Sequence, residues 1–210
     1  MSGYTADMPT FWIGLLVSWS TALLALWINP KPVVWIAYGF VNPLLFALPR
    51  IAAAVSPAVR ARLAPSWFRT VETVAILVIL MNAPGSLVLH DLGVQYDRFL
   101  HFTVGALVPF LAVPVVAAIR GRGATRPGTF WIAAALTLIG LFGFELFQFT
   151  TDRVFGTLLF HDEVQAIQRD VTEDIMFGTL GLLLSAIVLR RSKRVWHRFA
   201  VEGIKEQADR

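Results

Sequence analysis

The sequence contains no cysteine and few charged residues. Without cysteine, neither a disulfide framework nor a thiolate metal site can form. Charged residues make up only 15% of the chain, whereas about a quarter is usual in soluble domains. A nucleophile motif, a phosphate-binding loop and a cofactor fingerprint are also missing. These absences leave the common soluble enzyme classes without a sequence signature here.

The residues that are present are mostly apolar. Hydrophobic residues make up 56% of the 210 residues, and the mean hydropathy is +0.65. A soluble core of this size cannot bury so much apolar surface, so lipid is the natural solvent. The formal net charge is +4, but the basic residues lie between apolar segments and in the tail, as in membrane proteins. We therefore expect membrane lipids, and no nucleic acid, as partners.

A membrane-spanning helix needs about 20 mostly apolar residues. Six segments approach this length, at approximately 11–28, 33–48, 68–89, 98–119, 129–150 and 171–189. The sequence therefore predicts an all-α, polytopic integral membrane helical bundle, which we expect to form one domain in a bacterial cytoplasmic (inner) membrane. Two points stay open: the short second segment is either a span or a re-entrant loop, and residues 49–66 are either an interfacial helix or a solvated loop.

The distribution of Lys and Arg predicts the orientation of the bundle. Fourteen basic residues lie in the even-numbered connections and in the tail at 190–210, against four in the odd-numbered connections. Both termini are therefore predicted to be cytoplasmic. The opposite face is acidic, with nine of the fourteen carboxylates: Asp91, Asp97, Glu145, Asp152, Asp162, Glu163, Asp170, Glu173 and Asp174. His90, His101 and His161 are predicted to lie on the same side.

Helix geometry predicts that five of these groups share one thin layer of the bundle. At 1.5 Å per residue, positions in the fourth, fifth and sixth helices lie within one or two turns of the acidic face. A carboxylate at this depth normally faces the bundle interior or a wet cavity. The predicted cluster consists of Asp97, His101, Glu145, Asp170 and Asp174.

The spacings within this cluster indicate its chemistry. Asp97 and His101 are four residues apart and share a helix face, as do Asp170 and Asp174. Neighbouring carboxylates repel unless a proton or a cation lies between them. All five residues are therefore candidate ligands of Zn²⁺, Mn²⁺ or Mg²⁺. Asp97, His101 and Glu145 are also candidates for acid–base catalysis on a head group at the membrane surface.

The simpler alternative is structural. Asp170 and Glu173 have the spacing of a helix capping box, and His101 and Glu145 can form an interhelical hydrogen bond. Secondary candidates for the site are His90, Gln148, His161 and Asp162.

The motifs that carry these residues resemble those of a known family. Tyr96-Asp97-Arg98-Phe99-Leu100-His101-Phe102 resembles the Asp-(Lys/Arg)-x-x-His-Phe motif of VanZ-like membrane proteins, and it is most similar to the YjdF-like family of unknown function. Glu145-x-x-Gln148 and Asp170-x-x-x-Asp174 resemble the motifs of the later helices. The resemblance covers roughly residues 68–189 and supplies no established reaction, and the link of VanZ itself to the cell envelope does not transfer to this chain.

Two departures limit the transfer of that resemblance to this chain. Gly178 stands where VanZ-like chains often have Asn, and residues 158–162 do not read Gln-Gly-Asp, as they often do in YjdF-like chains. The family therefore supplies no role for His161 and Asp162.

Three functions remain open from the sequence. The first is an envelope-facing metal site or enzyme acting on a lipid-linked or polar substrate. The second is a small proton- or cation-coupled transporter or lipid translocator. The third is a structural accessory subunit, in which the polar cluster only ties helices together.

Overall fold

The computed structural model describes residues 9–28, 32–89, 92, 94–120, 126–155 and 167–197. Within these ranges the chain forms α-helices and two short π-helices, and no strand. The elements in chain order are α1 (Pro9–Ile28), α2 (Pro32–Ile36), π1 (Ala37–Val41), α3 (Asn42–Val55), α4 (Pro57–Arg62), α5 (Pro65–Pro84), π2 (Gly85–Leu89), α6 (Tyr96–Arg120), α7 (Arg126–Phe155), α8 (Ile167–Arg191) and α9 (Lys193–Trp196).

Six of the helical segments are long and apolar enough to span a membrane. Four of them are α1, α6, α7 and α8, and the other two are continuous combinations, α2–π1–α3 and α5–π2. Large apolar side chains are exposed along all six, for example Trp27, Phe40 and Ile139, which is expected where lipid replaces water as the solvent. The predicted helical membrane bundle with six spans is thereby confirmed.

The second span is longer than the segment 33–48 expected from the sequence. It continues through Pro49 to Val55 and measures 22 residues from Val34. The second segment is therefore a continuous helix and not a re-entrant loop. Arg50 marked the end of the apolar run in the sequence, but in the structure its charge is matched by Glu72. The remainder of 49–66 includes the short helix α4, which Ser56 caps by accepting a hydrogen bond from the Val59 amide.

Pro84-Gly85 widens the third span and does not end it. After Pro84 the helix continues as the π-helical turn π2. The Ser86 hydroxyl donates to the Asn82 side chain and accepts from the Tyr38 hydroxyl, with 3.3 Å between the oxygens in each case. Because Tyr38 belongs to π1, the two π-helices touch each other across the bundle.

The six spans form two units of three helices. α1, the second span and α5 pack together around Tyr38, Ala25 and Ile79. α6, α7 and α8 pack around Val113, Phe130 and other buried apolar side chains. Helix α6 joins the units by packing against α5 and π2.

Glycine allows α6 and α8 to approach very closely. A Cβ on Gly105 would collide with the carbonyl oxygen of Gly178, and one on Gly181 would collide with the carbonyl oxygen of Phe102. Small residues therefore permit the close packing of these two helices. Gly140 and Gly143 of α7 differ, because no atom of the described residues lies within 4 Å of a Cβ at either position.

Candidate functional site

Helix α6 supplies the first two residues of the site. Asp97 lies in the first turn of α6, and His101 follows one turn later on the same face. The distance between His101 Nε2 and Asp97 Oδ1 is 3.5 Å. The four-residue spacing of Asp97 and His101 predicts that they share a helix face, and the two side chains are indeed in contact.

Helices α8 and α7 each bring one further carboxylate to the same imidazole. His101 Nε2 lies 3.6 Å from Asp174 Oδ2 of α8. On the other side of the ring, His101 Nδ1 lies 3.5 Å from Glu145 Oε1 of α7. These distances are those of ion pairs and are longer than strong hydrogen bonds. His101 is therefore the centre of a four-residue cluster from three helices, which we call the His101 cluster.

The His101 cluster is buried on one side and open on the other. The side chains of Glu145 and Asp174 are 4% and 6% exposed, and that of His101 is 14% exposed. The Asp97 side chain is 35% exposed. Since Asp97 is also the residue nearest the start of α6, we take its side as the mouth of the site.

Three members of the cluster can hold a metal ion. Asp97, His101 and Asp174 each offer one ligand atom, and these atoms all lie within 4.8 Å of one another. Two carboxylate oxygens and one imidazole nitrogen suit Zn²⁺ or Mn²⁺. Glu145 faces the opposite ring nitrogen, which is the usual position of a carboxylate that orients a metal-binding histidine.

The other predicted site residues have different positions. Asp170 lies one turn before Asp174 and is not part of the three-residue group that can share an ion. Because α8 begins at Ile167, Asp170 lies inside the helix, so the expected capping box is wrong. Gln148 is half-buried on α7, one turn after Glu145. His90, His161 and Asp162 lie outside the described residues.

An ion-pair group beside the cluster was not predicted from the sequence. Glu173 accepts hydrogen bonds from Arg98 of α6 and from Arg169, one turn earlier on α8. Arg98 directly follows Asp97, and Glu173 directly precedes Asp174, so this group lies at the same level of the same two helices. Only the four-residue spacing of Arg169 and Glu173 was visible in the sequence.

Asp152 is another acidic residue that was not among the residues predicted for the site. It is 2% exposed, although it lies near the end of α7. Seven residues separate it from Glu145, which places both carboxylates on one helix face, with Asp152 about 10 Å further along the axis. The seven-residue spacing between Glu145 and Asp152 is the feature of the sequence that could have predicted this shared helix face.

The opposite end of the bundle contains a different polar group. Glu72 of α5 is 1% exposed and accepts hydrogen bonds from the Thr10 hydroxyl, at 2.8 Å, and from Arg50 Nε. The Arg50 guanidinium also lies 5.3 Å from the centre of the Phe11 ring. We call this group the Arg50–Glu72 pair.

These features define a helical membrane protein with six spans and a buried histidine–carboxylate cluster near one end of the bundle. The chain belongs to the family DUF2238, described as a predicted membrane protein, whose model matches residues 11–194. No curated protein matches the chain. No solved structure matches it either.

Proposed function

We propose that the protein is a metal-dependent membrane enzyme whose centre is formed by Asp97, His101 and Asp174. In this proposal the ion is Zn²⁺ or Mn²⁺, because an imidazole ligand favours these ions over Mg²⁺. The observation that carries the proposal is the convergence of two carboxylates on one imidazole nitrogen, with distances of 3.5 and 3.6 Å. Glu145 supports it from the other ring nitrogen.

Charge in the cluster supports a bound cation. Three carboxylates surround one imidazole, which carries at most one positive charge. Two of these carboxylates are buried in a span, where an unbalanced negative charge is costly. A divalent ion would offset this negative charge and would leave coordination positions for water and substrate, since three of the described residues can share one ion.

The position of the cluster indicates the class of substrate. It lies about one to three turns from the end of α6, α7 and α8 that is opposite to Arg120 and Arg190. In the predicted topology that end is the non-cytoplasmic face of a bacterial inner membrane. A bound ion there would polarise a substrate oxygen or activate water at the membrane surface. We propose a lipid-linked or polar envelope substrate for a site in this position.

Metal binding by the purified protein tests this proposal. We expect one Zn²⁺ or Mn²⁺ per chain by elemental analysis after dialysis, and saturable binding by titration calorimetry in detergent. His101→Ala should abolish stoichiometric binding, and Glu145→Gln should weaken it about 10- to 100-fold, as for other carboxylates that orient a ligand.

His197 provides the matched control for this experiment. It lies directly after α9, remote from the cluster, so His197→Ala should bind the ion as the unchanged protein does. Equal affinity of folded His101→Ala and His197→Ala variants would overturn the proposal.

A further inference from the structure

Two arginines at the mouth of the His101 cluster share a single carboxylate. Arg98 donates to Glu173 Oε2 through Nε, at 2.8 Å, and through Nη2. Arg169 donates to Glu173 Oε1 through Nε, at 2.9 Å. One carboxylate can neutralise only one of the two guanidinium groups, so this group of three carries one excess positive charge.

Hydrogen-bond donors of both arginines are left over after these contacts. A guanidinium has five N–H groups, and the contacts with Glu173 use Nε and Nη2 of Arg98 and Nε of Arg169. Among the residues that the structure describes, no acceptor is bound by Nη1 of Arg98 or by either Nη of Arg169. The Arg98 guanidinium also lies 5.8 Å from the centre of the Phe177 ring, a contact that restricts its orientation.

These donors are accessible, and they belong to residues at the ends of two spans. The side chain of Arg169 is 68% exposed and that of Arg98 is 28% exposed. Each arginine is the third residue of its helix, so both lie at the ends of spans. This level corresponds to the head-group layer, which is several ångströms thick on each side of the hydrocarbon core.

We propose that Arg98 and Arg169 form a subsite for a phosphate group, which holds a phosphate-bearing lipid head group beside the His101 cluster. Arginine matches phosphate oxygens with paired N–H donors, and the two guanidinium groups share a single carboxylate, which leaves donors for an anion. The ligand chemistry is that of a phosphate, whether it belongs to a lipid or is free in solution. The catalytic meaning of the subsite rests on the proposed metal centre, but phosphate binding itself does not require a metal.

The subsite is tested by titrating phosphate probes in the presence of a metal chelator. The probes are inorganic phosphate, short-chain phosphatidic acid and, as an anion without phosphorus, octanoate. Arg169→Gln should weaken phosphatidic acid binding about tenfold, since a hydrogen bond to a charged group contributes roughly that factor. Arg98→Lys keeps the charge and loses the paired donors, so it should weaken binding by a smaller factor.

Arg153 provides the matched control. It is an exposed arginine in the last turn of α7, at the same end of the bundle, so Arg153→Gln removes one positive charge from the same membrane face. Binding by this variant should change less than twofold. Equal losses in Arg153→Gln and Arg169→Gln, or no loss in either, would overturn the subsite, as would octanoate binding equal to that of phosphatidic acid.

The source of the phosphate follows from the two phosphate probes. Tighter binding of phosphatidic acid than of inorganic phosphate supports a lipid head group, and equal binding supports a subsite for the phosphate group alone. A protein that binds phosphate but no metal contradicts only the metal centre. A protein that binds metal while Arg169→Gln leaves phosphate binding unchanged contradicts only the subsite.

Discussion

The two ends of the bundle bury charge in different ways. The Arg50–Glu72 pair joins one cation to one carboxylate, and the Thr10 hydroxyl donates a further hydrogen bond. The His101 cluster places three carboxylates around one imidazole. The first group contains equal numbers of cationic and anionic side chains, whereas in the second group three carboxylates contact one imidazole. Buried charge in a membrane helix therefore indicates a site most strongly where carboxylates outnumber the basic group that they contact.

The largest effect is expected from breaking the balanced pair. Glu72→Leu leaves the Arg50 guanidinium, whose side chain is only 16% exposed, without its carboxylate. The free energy of unfolding should fall by about 3 kcal/mol, as for other buried ion pairs that lose one partner. The measurement is denaturant or thermal unfolding in detergent. The double variant Arg50→Met/Glu72→Leu should recover most of the loss, and metal binding per folded chain should be unchanged in both variants.

A comparison between these variants separates a structural role from a functional one. If Glu72→Leu abolished metal binding while the protein remained folded, the two ends of the bundle would be coupled, and the role of the Arg50–Glu72 pair would not be structural alone.

An intermediate effect is expected at the close contact between α6 and α8. Gly105→Ala introduces a Cβ that collides with the Gly178 backbone, so the helices must separate. Stability should fall by about 1–3 kcal/mol, the usual cost of overpacking. Because Asp97 and His101 are on α6 and Asp174 is on α8, metal affinity should fall in the same variant.

The control for that variant is a glycine of the same unit with open space around it. Gly140→Ala meets no described atom within 4 Å, so it should leave metal affinity unchanged. Equal losses of metal affinity in both variants would show that the α6–α8 contact does not position the site.

The sequence predicts the six spans and the layer that contains the cluster, because hydropathy, charge asymmetry and helical spacing are local properties of the chain. It does not predict which partners meet across helices. Arg50 and Glu72 are on different spans, as are Arg98 and Glu173, and no spacing rule connects them. The close approach at Gly105 is not visible in the sequence either, because it depends on how α6 crosses α8 in the packed bundle.

The length of the second span illustrates the same limit. Pro49 and Arg50 are typical of the end of an apolar run, yet α3 continues to Val55. A charged residue can lie within a span when another helix compensates it, as Glu72 does here, and this compensation is not visible in the segment itself.

The smallest effect is expected from relieving the unbalanced cluster. In metal-free protein, Asp97→Asn removes one of three carboxylates that face the same imidazole, and its side chain is partly exposed. The free energy of unfolding should change by less than about 1 kcal/mol, since the repulsion between carboxylates is lost together with the contact to His101, and nearby water screens both. The change is much smaller than that expected for Glu72→Leu, and the stabilisation of the unchanged protein by added Zn²⁺ or Mn²⁺ should be largely absent from the variant. A clear loss of stability without metal would indicate that Asp97 already has its compensating charge within the protein, and the two ends of the bundle would then belong to one structural class.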